Sequence, residues 1–170
     1  MTQAEMIAYV RRLISDEQAT GFPENDTLED PDGTDELLFY LDKAVYDYSL
    51  KLADAKNPRL IKRMNVFDGA ALPEDFLVFC GAVPVNIEGG VISYYGEDDM
   101  QVKYFARLPL VTSYASTDTL PYNNDECIKI ASLGAIYAQN KHNYNVSQDL
   151  SLFANGVMNN ANTTKQAQQR

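Results

Sequence analysis

Few residue types in this chain could support catalysis. His142 is the single histidine, and it stands in a Lys-His-Asn turn between two predicted helices, where a surface or capping role is expected. Cys80 and Cys127 are far apart in sequence and have no cysteine or histidine nearby, so the spacing of a zinc site is absent. We predict two buried, reduced thiols, with a disulfide as the open alternative. Glu88-Gly89-Gly90 lacks the lysine and the strand-to-helix setting of a phosphate loop.

The acidic residues are the remaining candidates for chemistry. The net charge is −10, and residues 16–54 contain 12 acids and two lysines, which accounts for all of it. Residues 16–33 are the densest part, with seven acids and no base. Residues 30–36 suggest a calcium loop, but the glycine is fourth instead of sixth, and Leu41 stands at position twelve, where an EF-hand has glutamate. A solvated loop, a loose cation site and a surface that repels a polyanion all stay open.

Composition limits the class of protein. With 170 residues, 45 % of them apolar, the chain can bury the core of one domain. It has no apolar run near the ~18 residues of a membrane helix. The first 15 residues lack the basic and apolar regions of a secretory signal. We therefore expect synthesis in a cytoplasm, no membrane contact and no cofactor.

Apolar spacing predicts four helices, at residues 2–16, 34–56, 123–141 and 146–156. Thr2 with Glu5, and Asn123 with Glu126, have the spacing of capping boxes. Pro58 is expected to end the second helix.

Between the second and third helices, residues 60–113 have the alternation and turn residues of a β region. Candidate strands are 60–67, 83–87, 91–95 and 101–108, with residues 88–90 as a hairpin turn and Pro84 marking an edge strand. The predicted fold is α+β: a helical bundle of about four helices with a β-hairpin or small β lobe inserted between helices two and three. Residues 1–158 form the predicted single domain, and residues 159–170 form a flexible, polar C-terminal tail.

Tyrosine is abundant, with 11 residues and no tryptophan. Tyrosines concentrate in the second helix and the β region, and tyrosine suits surfaces that are partly apolar and partly wet. The tyrosines are equally compatible with an interface and with an ordinary core in which their hydroxyls reach polar partners. The interface candidates in the β lobe are Tyr94, Tyr95 and Tyr104.

Several stretches, taken in order, resemble one family. LPEDFL at residues 72–77 resembles a step that leads into a β region, and VKYFARLP at residues 102–109 resembles a tyrosine-containing strand followed by proline. DTLPY at residues 118–122 and the alanine-rich helix at 125–140 resemble a late apolar helix with its approach. Together they resemble the head-to-tail connector (adaptor, or tail-tubular A-like) proteins of tailed bacteriophages, over about residues 1–155.

This resemblance implies a structural virion protein without catalytic activity, located in the neck or tail region of the particle. Such proteins form a ring of about a dozen copies that encloses the DNA channel, and DNA passes through without sequence-specific binding. The implied partners are further copies, the portal protein and a tail hub or nozzle protein. The polar tail is the segment implied to reach the portal, with candidate contacts at Asn159, Asn160, Thr163, Thr164, Lys165 and Arg170.

The acidic residues fit this picture, because a surface that DNA slides past should not neutralise phosphates. The candidates for lining the channel or its outer rim are Glu24, Asp26, Glu29, Asp30 and Asp32.

Two alternatives stay open. Another virion protein, such as a tail-completion or gatekeeper protein, would share the fold and differ only in its place in the particle. A carboxylate-based, metal-dependent enzyme would use acids of residues 16–33 as ligands or as acid–base groups.

Overall fold

The computed structural model describes residues 1–17, 36–96 and 98–141, which form a mixed α+β structure. Its helices and strands are α1 (Gln3–Glu17), α2 (Glu36–Asp54), β1 (Ile61–Val66), β2 (Phe76–Phe79), β3 (Asn86–Glu88), β4 (Val91–Ser93), β5 (Met100–Ala106) and α3 (Asn124–Lys141). Short 3₁₀ helices span Pro58–Leu60 and Val111–Ser113.

The predicted bundle of about four helices is wrong. The described residues contain three α-helices, and residues 146–156, where a fourth was predicted, lie outside them. Three helices suffice for a core because α3, which is apolar on nearly every side, lies against both α1 and α2. The predicted tail at residues 159–170 also lies outside the described residues.

The chain divides into two compact units. Among the described residues, the helical unit comprises 1–17, 36–48 and 109–141, and the β unit comprises 49–96 and 98–108. The boundary falls within α2, so most of this helix belongs to the helical unit and its last residues belong to the β unit.

Both predicted capping boxes are confirmed in the helical unit. The Thr2 amide donates to Glu5 Oε2 at 2.8 Å, and the Glu5 amide donates to Thr2 Oγ1 at 3.2 Å. At the start of α3, the amides of Asn123 and Glu126 each donate to the other's side chain at 2.9 Å. These reciprocal bonds satisfy amide donors that a helix N-terminus leaves unpaired.

All three helices supply the core of the helical unit. Gly134 allows the close approach of α3 to α2, because a Cβ atom at this position would lie 3.0 Å from Leu41 Cδ2. The principal buried side chains are Met6, Val10 and Ile14 of α1, Leu37, Leu41 and Val45 of α2, and Cys127, Ile130, Ala131 and Leu133 of α3.

The second helix ends earlier than predicted, at Asp54 instead of residue 56. Lys56 adopts a left-handed conformation with φ 55°, and the Asn57 amide donates to the carbonyl of Leu52 at 2.9 Å. This is the Schellman arrangement, usually formed with glycine at the left-handed position. The chain therefore leaves the helix before Pro58, which instead begins the next 3₁₀ helix.

The main sheet of the β unit has the strand order β1-β5-β2, and both pairings are antiparallel. β3 and β4 form a separate hairpin around Gly89 and Gly90, which both have positive φ. The strand predicted at residues 83–87 begins only at Asn86, so Pro84 precedes β3 and is not part of it. Strand β2 was not predicted.

Alternation assigns the two faces of the main sheet. Val66 and Val102 face a small core that they share with Ala70 and Ile92. The residues that alternate with this set form what we call the outer face. It consists of Ile61, Arg63, Asn65, Val78, Cys80, Gln101, Lys103 and Phe105.

Candidate interface surfaces

The helical unit exposes aromatic side chains along one line of α2. Phe39 is 67 % exposed and Tyr46 is 45 % exposed, with Lys43 between them on the same face of the helix. The Lys43 Nζ atom lies 4.4 Å from the centre of the Tyr137 ring. Phe39, Lys43 and Tyr46 are called the α2 surface below, and they lie on the side of the helix opposite its buried residues.

Carboxylates elsewhere on α2 hold parts of the helical unit together. Asp42 accepts hydrogen bonds from the Val111 amide at 2.7 Å and from the Thr112 amide at 3.2 Å, so it caps the second 3₁₀ helix. The Tyr137 hydroxyl donates a hydrogen bond to the Asp47 carboxylate. Burial, and then this hydrogen bond, raise the pKa of Tyr137. These hydrogen bonds connect α2 to the second 3₁₀ helix and to α3.

The β unit exposes a different surface at its hairpin. Ile92 and Tyr94 pack into or against the small core, while Val91 of β4 and Tyr95 just after it are exposed, Tyr95 to 93 %. Ala71 pairs with Val91 across an isolated bridge and is exposed as well. Ala71, Val91 and Tyr95 are called the hairpin surface below.

Of the three predicted β-lobe interface residues, Tyr95 is at the surface and Tyr104 is not. Tyr104 is 4 % exposed, and its hydroxyl donates to Asp75 Oδ1 at 3.0 Å. Tyr94 is partly buried, and its amide donates to Asp68 Oδ1 at 3.1 Å. Tyr104 is therefore a core residue, whereas Tyr95 is exposed.

Asp75 connects the segment before β2 to β1 and β5 through three contacts on or beside the core-facing side of the sheet. Its carboxylate is paired with Lys62 and accepts from Tyr104, and its carbonyl accepts from the Arg107 amide at 2.6 Å. Burial alone would raise the pKa of Asp75, but the hydrogen bonds from Lys62 and Tyr104 outweigh burial and leave it below its ordinary value. Burial and Asp75 raise the pKa of Tyr104 to about 12. Neither group is suited to proton transfer near pH 7.

The two cysteines are free thiols. Cys127 is buried as predicted, whereas Cys80 is exposed, so the prediction of two buried thiols is wrong for Cys80. It directly follows β2, and its amide donates to the carbonyl of Lys103 on β5 at 3.0 Å.

Many of the predicted site residues lie outside the described residues. These are His142, the acidic candidates Glu24, Asp26, Glu29, Asp30 and Asp32, and the tail candidates Asn159, Asn160, Thr163, Thr164, Lys165 and Arg170. Within residues 1–17, 36–96 and 98–141, no group of three or more histidine, cysteine or acidic side chains could hold a metal ion. In the same ranges, no helix has the length and apolar character needed to cross a membrane.

No protein-family model, curated protein or solved structure matches this chain.

Sequence reasoning missed two features of these surfaces. Phe39 lies off the apolar stripe of α2, and its spacing of seven residues from Tyr46 is the signal that could have revealed the α2 surface. The second feature is the juxtaposition of Arg63 and Lys103, which are direct cross-strand partners on the outer face. It depends on the register between two strands that are distant in sequence.

Proposed function

We propose that this chain is a structural protein of a tailed-bacteriophage virion, a head-to-tail adaptor that forms a ring of about a dozen copies around the DNA channel. The ring lies between the portal protein and a tail hub or nozzle protein. Its role is assembly, not catalysis. The ordered sequence motifs at residues 72–77, 102–109 and 118–122 support this family assignment.

The observation that carries the proposal is a pair of unlike apolar surfaces. The α2 surface lies on the helical unit and presents Phe39 and Tyr46, while the hairpin surface lies on the β unit and presents Tyr95. A ring requires a heterologous contact, in which one patch of each copy binds a different patch of the next. Exposed aromatic anchors are typical of the centres of protein interfaces.

We propose that the α2 surface of one copy binds the hairpin surface of the next. Exposed Lys43 lies between Phe39 and Tyr46 and is part of this contact, because a cation attracts an aromatic ring brought by the next copy. The tail at residues 159–170 is the proposed portal contact.

Electron microscopy of the chain mixed with its portal protein tests the ring. Wild type should form rings on the portal, whereas Phe39→Ser with Tyr46→Ser, and separately Tyr95→Ser, should each abolish them. Mixing the two defective variants should give a 1:1 heterodimer, since one intact contact remains and the ring cannot close. Sedimentation velocity measures that heterodimer.

Ile128→Ser is the matched control, because Ile128 is an exposed apolar residue of α3 outside both surfaces. It should leave rings intact. A wild-type chain that stays monomeric with the portal protein would contradict the adaptor role. Rings formed by either surface variant would contradict the proposed contact.

A further inference from the structure

The outer face of the main sheet places two like charges side by side. Arg63 of β1 and Lys103 of β5 are direct cross-strand partners, and both are exposed. Directly opposed side chains have Cβ atoms about 5 Å apart, and like charges at that spacing repel. Within the described part of the chain, neither side chain has an ion pair or a side-chain hydrogen bond.

Protection of a sheet edge does not explain this pair. A charged residue on β1 would discourage edge-to-edge association, because β1 is an edge strand. Lys103 lies instead on the central strand β5, where lysine is disfavoured and guards no edge. The neighbouring base Lys62 points to the opposite face and is neutralised by Asp75. Neither edge protection nor pairing with Asp75 therefore accounts for the two neighbouring bases.

The rest of the outer face combines amide and apolar groups. Asn65 and Gln101 are the next cross-strand pair on one side of the bases, and both are exposed. On the other side, Ile61 and Val78 are exposed, while Phe105 between them on the central strand is buried. A ligand for this face must supply negative charge together with apolar groups.

Residues 18–35 of this chain have that composition. They contain Glu24, Asp26, Glu29, Asp30, Asp32 and Asp35 with no base, and their apolar residues include Phe22 and Leu28. Duplex DNA matches the face less well, since a phosphate backbone offers nothing to Ile61 and Val78.

We propose that the outer face binds the acidic segment at residues 18–35 of a second copy of this chain. This inference rests on the proposed ring. Copies that each carry a net charge of −10 repel one another unless acids meet bases where they touch. The segment ends next to α2, which bears the α2 surface, and the outer face lies in the same unit as the hairpin surface. Both contacts therefore join the helical unit of one copy to the β unit of the next.

Fluorescence anisotropy with a labelled synthetic peptide of residues 18–35 tests the contact on the full chain. Wild type should bind the peptide, and binding should weaken as salt is added. Arg63→Gln with Lys103→Gln should weaken it by about tenfold, because two exposed charge pairs are lost. That variant should unfold at the same or a higher temperature than wild type, since the repulsion is removed.

The matched control is Arg12→Gln with Lys56→Gln, which changes the net charge equally at two exposed bases that lie outside the outer face. It should bind the peptide as wild type does. Equal weakening in both double variants, or equal binding of a peptide whose acids are replaced by amides, would overturn the proposal. Tighter binding of a short DNA duplex, lost in the Arg63 and Lys103 variant, would assign the face to phosphate and also overturn it.

A further variant separates a second copy from the chain's own segment. When the six acids of residues 18–35 are replaced by amides in the full chain, added peptide should bind as it does to wild type. A tenfold gain would show that the chain's own segment covers the face, which would overturn the proposal. Peptide binding without rings on the portal contradicts the adaptor role alone, and rings without peptide binding contradict this contact alone.

Discussion

The helical unit and the β unit differ in where polar side chains have partners, because the β unit pairs them on only one side of its main sheet. In the helical unit, polar groups join elements that are distant in sequence: Asp42 caps the second 3₁₀ helix, and Tyr137 bonds to Asp47. In the β unit, Asp75 has this role on the core-facing side of the sheet. The outer face instead brings Arg63 next to Lys103 without a carboxylate partner among the described residues.

The two cores differ in a parallel way. Three helices contribute fully buried side chains to the helical unit, and α3 is buried on most of its circumference. The cluster between the sheet and the hairpin has four buried members, Val66, Ala70, Ile92 and Val102, and its other neighbours are only partly buried. Since burial of apolar area drives folding, the helical unit holds more of its stability internally.

This difference indicates where binding should be sought. A unit with paired polar groups and a large buried core satisfies most of its interactions internally. A unit with a thin core, exposed apolar residues and opposed bases has interactions that another molecule can complete. The following predictions test that contrast, beginning with the largest expected effect.

Ile130→Ala in α3 should lower the free energy of unfolding by about 3–4 kcal/mol, because Ile130 is fully buried and the three-helix core cannot close the cavity. Ile128→Ala is the control on the same helix, where the side chain is 45 % exposed, and it should cost less than about 1 kcal/mol. Urea unfolding followed by helical circular dichroism measures both. Similar losses at the two positions would mean that the core of the helical unit is not centred on α3.

Ile92→Ala should cost about 2 kcal/mol in the β unit, less than the change in α3, because a small cluster with partly exposed neighbours can relax. Ile87 is its direct cross-strand partner and is 40 % exposed, so Ile87→Ala should cost less than about 1 kcal/mol. Hydrogen exchange of the β4 amides reports the loss within this unit. A larger loss for Ile92→Ala than for Ile130→Ala would reverse the contrast between the units.

Local features of the fold could be predicted from sequence, and long-range ones could not. The capping boxes of Thr2 and Asn123 were predictable because both partners lie within one turn. The hairpin turn was also predictable, since Gly89 and Gly90 supply the positive φ angles it requires. Strand β2 was missed because four apolar residues without polar alternation form a strand only through pairing with β5.

The candidate surfaces follow the same division. Alternation along β5 placed Tyr104 and Lys103 on opposite faces of their strand, but it could not tell that Tyr104 is covered, so an interface and a core both stayed open for this residue. The meeting of Arg63 with Lys103 required the register of β1 against β5, which distant residues determine together.

The smallest expected effect concerns Asp75, the polar group through which the β unit most resembles the helical unit. Asp75→Asn should cost about 1 kcal/mol at pH 7, because Lys62 loses its charged partner while the new amide oxygen can still accept from Tyr104. The pKa of Asp75 is lower in the folded protein than its ordinary value of 3.8. Its ionised form therefore stabilises the fold above pH 3.8, and this contribution is lost as the pH falls through the lower, folded-state pKa.

Urea unfolding at pH 7, 5 and 2.5 separates the charge of Asp75 from its packing. The difference between wild type and Asp75→Asn should be constant from pH 7 to pH 5 and should shrink by pH 2.5. Glu74→Gln, which changes the exposed neighbouring carboxylate, should alter stability by less than about 0.5 kcal/mol throughout. If the Asp75→Asn difference were the same at pH 2.5 as at pH 7, the residue would stabilise the sheet by shape and hydrogen bonding alone. The core-facing side of the β unit would then lack the charge pairing that distinguishes it from the outer face.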